Sequence, residues 1–357
     1  MQHNRLKPYF DGKRFWNYRG EKFTPLIIPS IKMYLTRWWN LPANIRQELL
    51  QWQQQHFADQ RAYLTPCEKV AITWIGHATF LIQHPTYTLL TDPVFDSLTL
   101  LFPRMLAPGI ARSELPTTIH GVFISHNHRD HLEQKTIQFL TRHTNCHFYV
   151  PQGDERLLSA WGVPDHRVTP STWWSSHTLM SSDQLMHQPR ATFLPAIHWS
   201  GRSLTDKNRS LWGSWMFEIH DQRIYFAGDT AHGMHFQQIA DEFPNITAAL
   251  MPIGPCEPNS FLKKSHLNAE ESGQAFLTLG AQTFIPMHWG TYGFGNENPL
   301  LPLQRINSWW QSNSQTSHQL HVLRMGETFL TDQHHQISEA ISTIPAEHSQ
   351  ASSSQTS

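Results

Sequence analysis

The sequence predicts an α/β sandwich, because short runs of strand character alternate with helical patterns and close on Gly, Pro or Asp. Ten such runs begin at Val70. They are VAITWIG (70–76), ATFLIQ (78–83), TYTLLTD (86–92), GVFISH (121–126) and CHFYVP (146–151), then RATFLPAIH (190–198), SWMFEIH (214–220), RIYFAGD (223–229), AALMPIG (248–254) and QTFIPMH (282–288). Their β-branched and aromatic side chains suit a pleated, half-buried surface. Helical patterns lie between them at HLEQKTIQFLTRH (131–143), HGMHFQQIADEF (232–243) and NAEESGQAFLTLG (268–280). The last opens on Asn268, three residues before Glu271, the spacing of a reciprocal N-terminal cap. Upstream, Ile45, Leu49, Trp52 and Phe57 recur at near-helical spacing and predict an amphipathic helix over 43–60.

These patterns divide the 357 residues into an arm and helix (1–65), a main domain (66–332) and a Ser/Gln-rich tail (333–357) expected to be disordered. The formal charge of −1 leaves no domain-wide basic field, which argues against a nucleic-acid partner. With 24 His against 27 Lys and Arg, the net charge should turn positive between about pH 7 and 6. Cys67, Cys146 and Cys256 form no CxxC pair, so a disulfide scaffold is not expected and a reducing compartment is. No secretory leader pattern and no run of about 18 apolar residues is present, and the expected location is cytoplasmic. The first 40 residues differ, carrying eight Lys/Arg, two carboxylates and nine aromatics. Two readings stand for this arm: peripheral contact with the inner membrane face, or packing of its rings on the protein's own core.

The chemistry is concentrated in ISHNHRDHLE, where His126, His128, Asp130 and His131 follow an apolar run and precede a helical pattern. His126 and His128 can face one metal ion from an extended loop, and Asp130 and His131, at the helix start, can reach a second. His198, Asp229 and His288 each close a strand-like run, the position from which a sheet presents rigid ligands. The count suits two ions: His126, His128, His198 and Asp229 for one, and Asp130, His131, His288 and the same Asp229 for the other. Imidazoles with carboxylates favour zinc, with manganese or iron admissible. Two ions in such a site activate a shared water for hydrolysis. His77 in GHAT and Asp92 in TDP are candidate supports, and Gly228 and Gly290 are read as permitting close turns beside ligands. Cys256 reads as a buried, inert thiol.

The order HxHxDH, then His, Asp and His at strand ends, resembles the metallo-β-lactamase superfamily. ITWIGHATFLI, LLTDPVF, SELP, ISHNHRDHL, IHW, LWGSW, FAGDT, PIGPCEP, HLNAEE and MHWGTYGF, spread in order over about 70–295, make it similar to its N-acylphosphatidylethanolamine-hydrolysing phospholipase D-like branch. The resemblance implies an αββα sandwich, a hydrolase domain, a dinuclear zinc centre on the same seven ligands and a glycerophospholipid substrate. It also implies that Asp130 and Asp229 take part in catalysis and that His266 lies near the substrate without binding metal. A soluble phosphorylated lactone or small phosphodiester is the alternative substrate, and a homodimer is left open. Lactamases with a Cys ligand carry it where Asp229 stands, which argues against antibiotic hydrolysis of that kind. A nuclease is not expected, since no inserted domain fits between His198 and His288. The complete ligand set argues against a non-enzymatic descendant.

Overall fold

The computed structural model describes residues 5–18, 69–99, 102–179, 188–203, 205–294, 297–313 and 317–331, with single residues 47 and 51. Apart from those two residues, the helix expected over 43–60 lies outside them, as do the arm beyond residue 18 and the Ser/Gln-rich tail. The chain opens on a hairpin of β1 (Tyr9–Phe10) and β2 (Phe15–Trp16). The first large sheet holds β3 (Ala71–Gly76), β4 (Thr79–His84), β5 (Tyr87–Thr91), β6 (Gly121–Phe123), β7 (His147–Pro151) and β8 (Val168–Ser171). The second holds β9 (Ser176–Thr178), β10 (Arg190–Leu194), β11 (Ser214–Ile219), β12 (Gln222–Phe226), β13 (Ala248–Pro252), β14 (Thr283–Met287) and β15 (Gln319–Leu320). The strand β16 (Thr328–Leu330) returns to pair with β3, so among the described residues each sheet has seven strands, ordered β16-β3-β4-β5-β6-β7-β8 and β15-β14-β13-β12-β11-β10-β9.

Each sheet is antiparallel at one end and parallel at the other. Parallel neighbours need a crossover, and helices supply it in every case but β5 to β6, whose crossover carries, among the described residues, only a 3-10 turn at Arg112–Glu114. α1 (Gln134–His143) joins β6 to β7, and α2 (Glu155–Ala160) joins β7 to β8. α3 (His235–Glu242) joins β12 to β13; a short α4 (Asn259–Leu262) and α5 (Ala269–Leu279) join β13 to β14; α6 (Leu301–Asn313) joins β14 to β15. The period-2 alternation of side chains then sorts the core. Phe80, Ile82, Phe123 and Tyr149 of the first sheet meet Phe193, Trp215 and Phe217 of the second in one buried cluster. Leu81, Val122, Phe148 and Val150 point the other way, to Ile137 and Leu140 of α1 and Leu158 of α2. The α/β sandwich expected from the sequence is the observed fold.

All ten expected runs contain a strand, and Asn268 caps α5: its side chain accepts from Glu271 N–H at 2.8 Å while Glu271 accepts from Asn268 N–H at 3.2 Å. One local expectation is corrected. Asp130 and His131 do not open α1, which starts at Gln134. The Glu133 carboxylate instead takes the backbone N–H groups of Phe95 and Asp96, at 3.1 and 3.2 Å, and this tie holds Glu133 in an extended conformation. Residues 128–132 consequently form a turn, with Leu132 N–H on His128 O at 2.9 Å.

In the described part of the arm, Phe15 and Trp16 are buried in the protein's own core, whereas Tyr9 and Phe10 are 52% and 50% exposed. Trp174 Nε1 donates to Leu6 O at 2.7 Å and Arg5 pairs with Glu242, fixing the segment across the second sheet's edge and α3. Among the described residues no helix is long and apolar enough to cross a membrane.

Candidate metal centre

The seven residues singled out by spacing converge at one end of the sandwich. His126, His128, Asp130 and His131 lie on the turn after β6, His198 follows β10, Asp229 follows β12 and His288 follows β14. Hydrogen-bonded strands hold each loop root, so the donors approach from fixed directions. Among the described residues two groups of four of metal-binding type result, His126, His128, His198 and Asp229 in one and His77, Asp130, His131 and His288 in the other, and a third trio of Asp92, His126 and His131 overlaps both.

Asp229 is the hub. One or other of its carboxylate oxygens lies 3.1 Å from His288, 3.4 Å from His131, 3.6 Å from His266, 3.7 Å from His198 and 3.8 Å from His126. Asp130 Oδ2 is 3.0 Å from His77 Nε2, 3.4 Å from His131 Nε2 and 3.7 Å from His288 Nε2. The backbone is bent to this end: His77, Asp92 and His288 have φ of 56°, 33° and 61°, a left-handed region that non-glycine residues occupy only when their surroundings impose it. Gly228 shares it at 56°, and a Cβ there would stand 2.5 Å from Ser125 Cβ, so the close turn beside Asp229 does require glycine.

The hydrogen bonds behind the imidazoles decide what faces the centre. His198 Nδ1–H donates to Ser265 O at 2.7 Å, and His288 Nδ1–H donates to Gly254 O at 2.9 Å. His131 Nδ1–H donates to Asp92 Oδ2 at 2.7 Å. Ser125 gives its hydroxyl proton to the same Asp92 oxygen, so it accepts from His126 Nδ1–H at 2.9 Å. With Nδ1 protonated on all four rings, a neutral imidazole can present only a lone pair at Nε2. Those of His126 and His198 face His128 Nδ1 at 2.8 and 3.2 Å, and one N–H there can satisfy only one of them. The Nε2 atoms of His131 and His288 face carboxylate oxygens, and neither they nor Asp229 Oδ1 make a hydrogen bond.

A centre of converging lone pairs and two carboxylates, buried except for the half-buried His128 and Asp130, demands positive charge. Burial alone would lower His288 and His131. The Asp229 and Asp130 carboxylates reverse this, raising His288 to about 9 and His131 well above its usual value. Burial would raise Asp130 and Asp229, and the facing imidazoles hold both well below the usual carboxylate range. His128 and His198 are pushed down to about 3 by burial and stay neutral, as ligands must be. Divalent cations fit this donor set.

Four further residues complete the centre. Asp92 accepts from Ser125 N–H at 2.7 Å and carries His131, the support that TDP suggested. His77, read as a support from GHAT, belongs to the second group and donates to Asp130 at 3.0 Å. Asn127, between two of the imidazoles, donates to buried Asp154 at 2.8 Å and accepts from Gly201 N–H at 2.7 Å. Asn17 meets the backbone of His198. Neither Asn127 nor Asn17 is legible in the sequence, since an isolated Asn has no pattern. His266 stands beside the centre, its ring 5.0 Å from that of His198, and belongs to neither group. Trp199 lies edge-on to His128 at 4.1 Å, while Trp289 is buried and stacks on Trp74. Cys256 is buried, its thiol pushed up to about 12 by burial.

The family model of the beta-lactamase superfamily domain matches residues 87–289. An uncharacterized protein of Mycobacterium tuberculosis is 33% identical over 256 residues, which cover 70% of this chain and 66% of that protein. The mitochondrial N-acyl-phosphatidylethanolamine-hydrolyzing phospholipase D of Saccharomyces cerevisiae is 30% identical over 243 residues, 66% of this chain and 50% of its own. The chain thus spans about two thirds of one relative's length and half of the other's. Among solved structures, Igni18, a metallo hydrolase of the archaeon Ignicoccus hospitalis, superposes with a TM-score of 0.54 at 18% identity, over 73% of this chain and 98% of that one. That likeness is one of fold.

Proposed function

Because this chain belongs to the metallo-β-lactamase superfamily of metal-dependent hydrolases, we propose that it is a phosphodiesterase that cleaves N-acylphosphatidylethanolamine to N-acylethanolamine and phosphatidic acid. The observation that carries the reading is Asp229, a carboxylate of the group with His126, His128 and His198 that also stands 3.1 Å from His288 and 3.4 Å from His131 of the other group. His126, His128, His198 and Asp229 would hold one ion, and Asp130, His131, His288 and Asp229 the other. Zinc is the first choice for such ligands, and manganese or iron suits them too. When bound, the pair supplies Lewis acidity to the phosphoryl oxygens and lowers the pKa of water.

The protein's own groups do the rest. Asp130 and Asp229, both ionised, would orient the attacking water by accepting hydrogen bonds from it. His266, 17% exposed and 3.6 Å from Asp229, is placed to give a hydrogen bond to the leaving oxygen of the acylethanolamine. The phospholipid substrate is supported by the similarity to the yeast phospholipase D and by the hairpin, where exposed Tyr9 and Phe10 sit among exposed Arg5, Lys7 and Lys13. Rings and cations so mixed suit the headgroup layer of an anionic bilayer.

The test is phosphatidic acid release from N-acylphosphatidylethanolamine vesicles at matched zinc, comparing wild type with Asp229→Asn. Release by the wild type that falls by about a hundredfold or more in the variant is expected, since one change removes a ligand of both groups. A zinc-loaded wild type that releases nothing would overturn the lipid substrate and direct attention to a soluble phosphorylated lactone or diester.

A further inference from the structure

His198 lies beyond the last paired residue of β10, in a loop where its own N–H and C=O have no ladder to join. Both are met by one side chain. His198 N–H donates to Asn17 Oδ1 at 3.2 Å, and Asn17 Nδ2 donates to His198 O at 3.2 Å. Trp212 Nε1 donates to the same Asn17 oxygen at 3.1 Å. The carboxamide therefore imitates a strand partner, with both lone pairs of its oxygen engaged.

The contact is part of a longer seam. Phe15 N–H donates to Asn208 O at 2.8 Å, Asn208 N–H donates to Ser200 O at 2.8 Å, and Ser200 N–H donates to Asn208 Oδ1 at 3.2 Å. Residues 15 and 17 thus brace residues 198 and 200 in step. Asn17 is only 7% exposed and lies far ahead of the family-matched region, which begins at residue 87. The other end of His198 is held by Ser265 through Nδ1, so its Nε2 is aimed from two sides.

We infer that Asn17 is a positioning residue for His198, and that the N-terminal segment is thereby a working part of the metal centre. This inference rests on the metal reading proposed above. Asn17 meets the backbone of His198 and not its ring nitrogens, so it acts by fixing the backbone from which the imidazole projects. Loss of the clamp should weaken the ion held by His126, His128, His198 and Asp229, and leave the other ion in place.

Cobalt(II) titration of the metal-free protein, followed by visible absorption, separates the possibilities. The set is wild type, Asn17→Ala, Asn17→Asp, His198→Ala and the double variant Asn17→Ala/His198→Ala. Wild type should take two equivalents. Asn17→Ala should bind one of them about tenfold or more weakly, with a changed spectrum, and bind the other unchanged. Asn17→Asp keeps the acceptor for His198 N–H and Trp212 but loses the donor to His198 O, so it should fall between. In the His198→Ala background, Asn17→Ala should add nothing, because both changes act on one ligand. The inference is overturned if Asn17→Ala binds both equivalents as wild type does, weakens both alike, or keeps its full effect without His198. Should Asn17→Ala fail to fold, Asn17→Asp decides alone: an unchanged affinity and spectrum would overturn the inference. A wild type that binds no cobalt removes the metal reading, and this inference with it.

Discussion

Asp92 shows how one buried carboxylate can organise a centre while standing outside both of its four-residue groups. It is fully buried and accepts from Ser125 N–H, Ser125 Oγ–H and His131 Nδ1–H, at 2.7, 2.5 and 2.7 Å. Burial raises its pKa, and these donors oppose the rise. Through Ser125 it also sets the tautomer of His126, so two imidazoles in different groups depend on it. Replacing it by Ala strands three buried donors. Asp92→Ala should therefore lose about 2–4 kcal/mol in urea unfolding. It should also weaken metal binding about 10–100-fold, as loss of an outer hydrogen-bond partner does. Asp92→Asn, which still offers one acceptor oxygen, should lose less on both measures. Equal stability of Asp92→Ala and wild type would show that water replaces the carboxylate.

At the scale of the element, α5 illustrates what a local signal is worth. Its reciprocal cap couples Asn268 to Glu271, and Gly280 ends it with a φ of 62°. Asn268→Ala should cost about 1 kcal/mol, read as a lowered melting temperature with the site's metal content unchanged. The same kind of local signal makes α5 and the ten principal strands legible in the sequence, because cap spacing and strand alternation are short-range. The convergence of the seven side chains is legible for a related reason: a strand fixes where the residue after it emerges, so HxHxDH and the three strand-end residues read as one cluster. Strands β8, β9, β15 and β16 are not legible, being two to four residues long with at most two hydrophobic residues each. Their pairing is imposed by neighbours, as when Thr328 meets Thr73 across 255 residues of chain with hydroxyls 2.8 Å apart. The delayed start of α1 has the same origin, since Glu133 is held by a loop some 37 residues earlier.

For the whole molecule, the sequence composition suggests that imidazoles dominate the response to pH, yet one buried carboxylate makes a separable contribution. Burial raises Asp154 to about 7, against hydrogen bonds from Ser210 and Asn127 and the nearby Arg202 guanidinium, which lower it. Arg202 is itself fixed, donating to Asn127 O at 2.9 Å and Leu132 O at 2.7 Å, so the turn that carries His126 to His131 rests on this cluster. The folded state thus holds a proton on Asp154 that the unfolded chain releases near its ordinary value of 3.8. Its contribution to stability is fully present below about pH 4 and is lost as pH rises through about 7, where a bare carboxylate must be kept out of water. Between pH 5.5 and 8 this one group should cost the wild type about 2 kcal/mol. Asp154→Asn keeps an acceptor for Asn127 and carries no charge, so that part of the decline should vanish. Urea unfolding of both proteins at the two pH values, at fixed zinc, isolates the effect, because the imidazoles titrate alike in each. The stability of Asp154→Asn relative to wild type should rise by about 2 kcal/mol from pH 5.5 to 8. If the difference stays constant, Asp154 is ionised throughout, and the cluster beneath the turn from His126 to His131 is held by an ion pair with Arg202 instead of a protonated carboxyl.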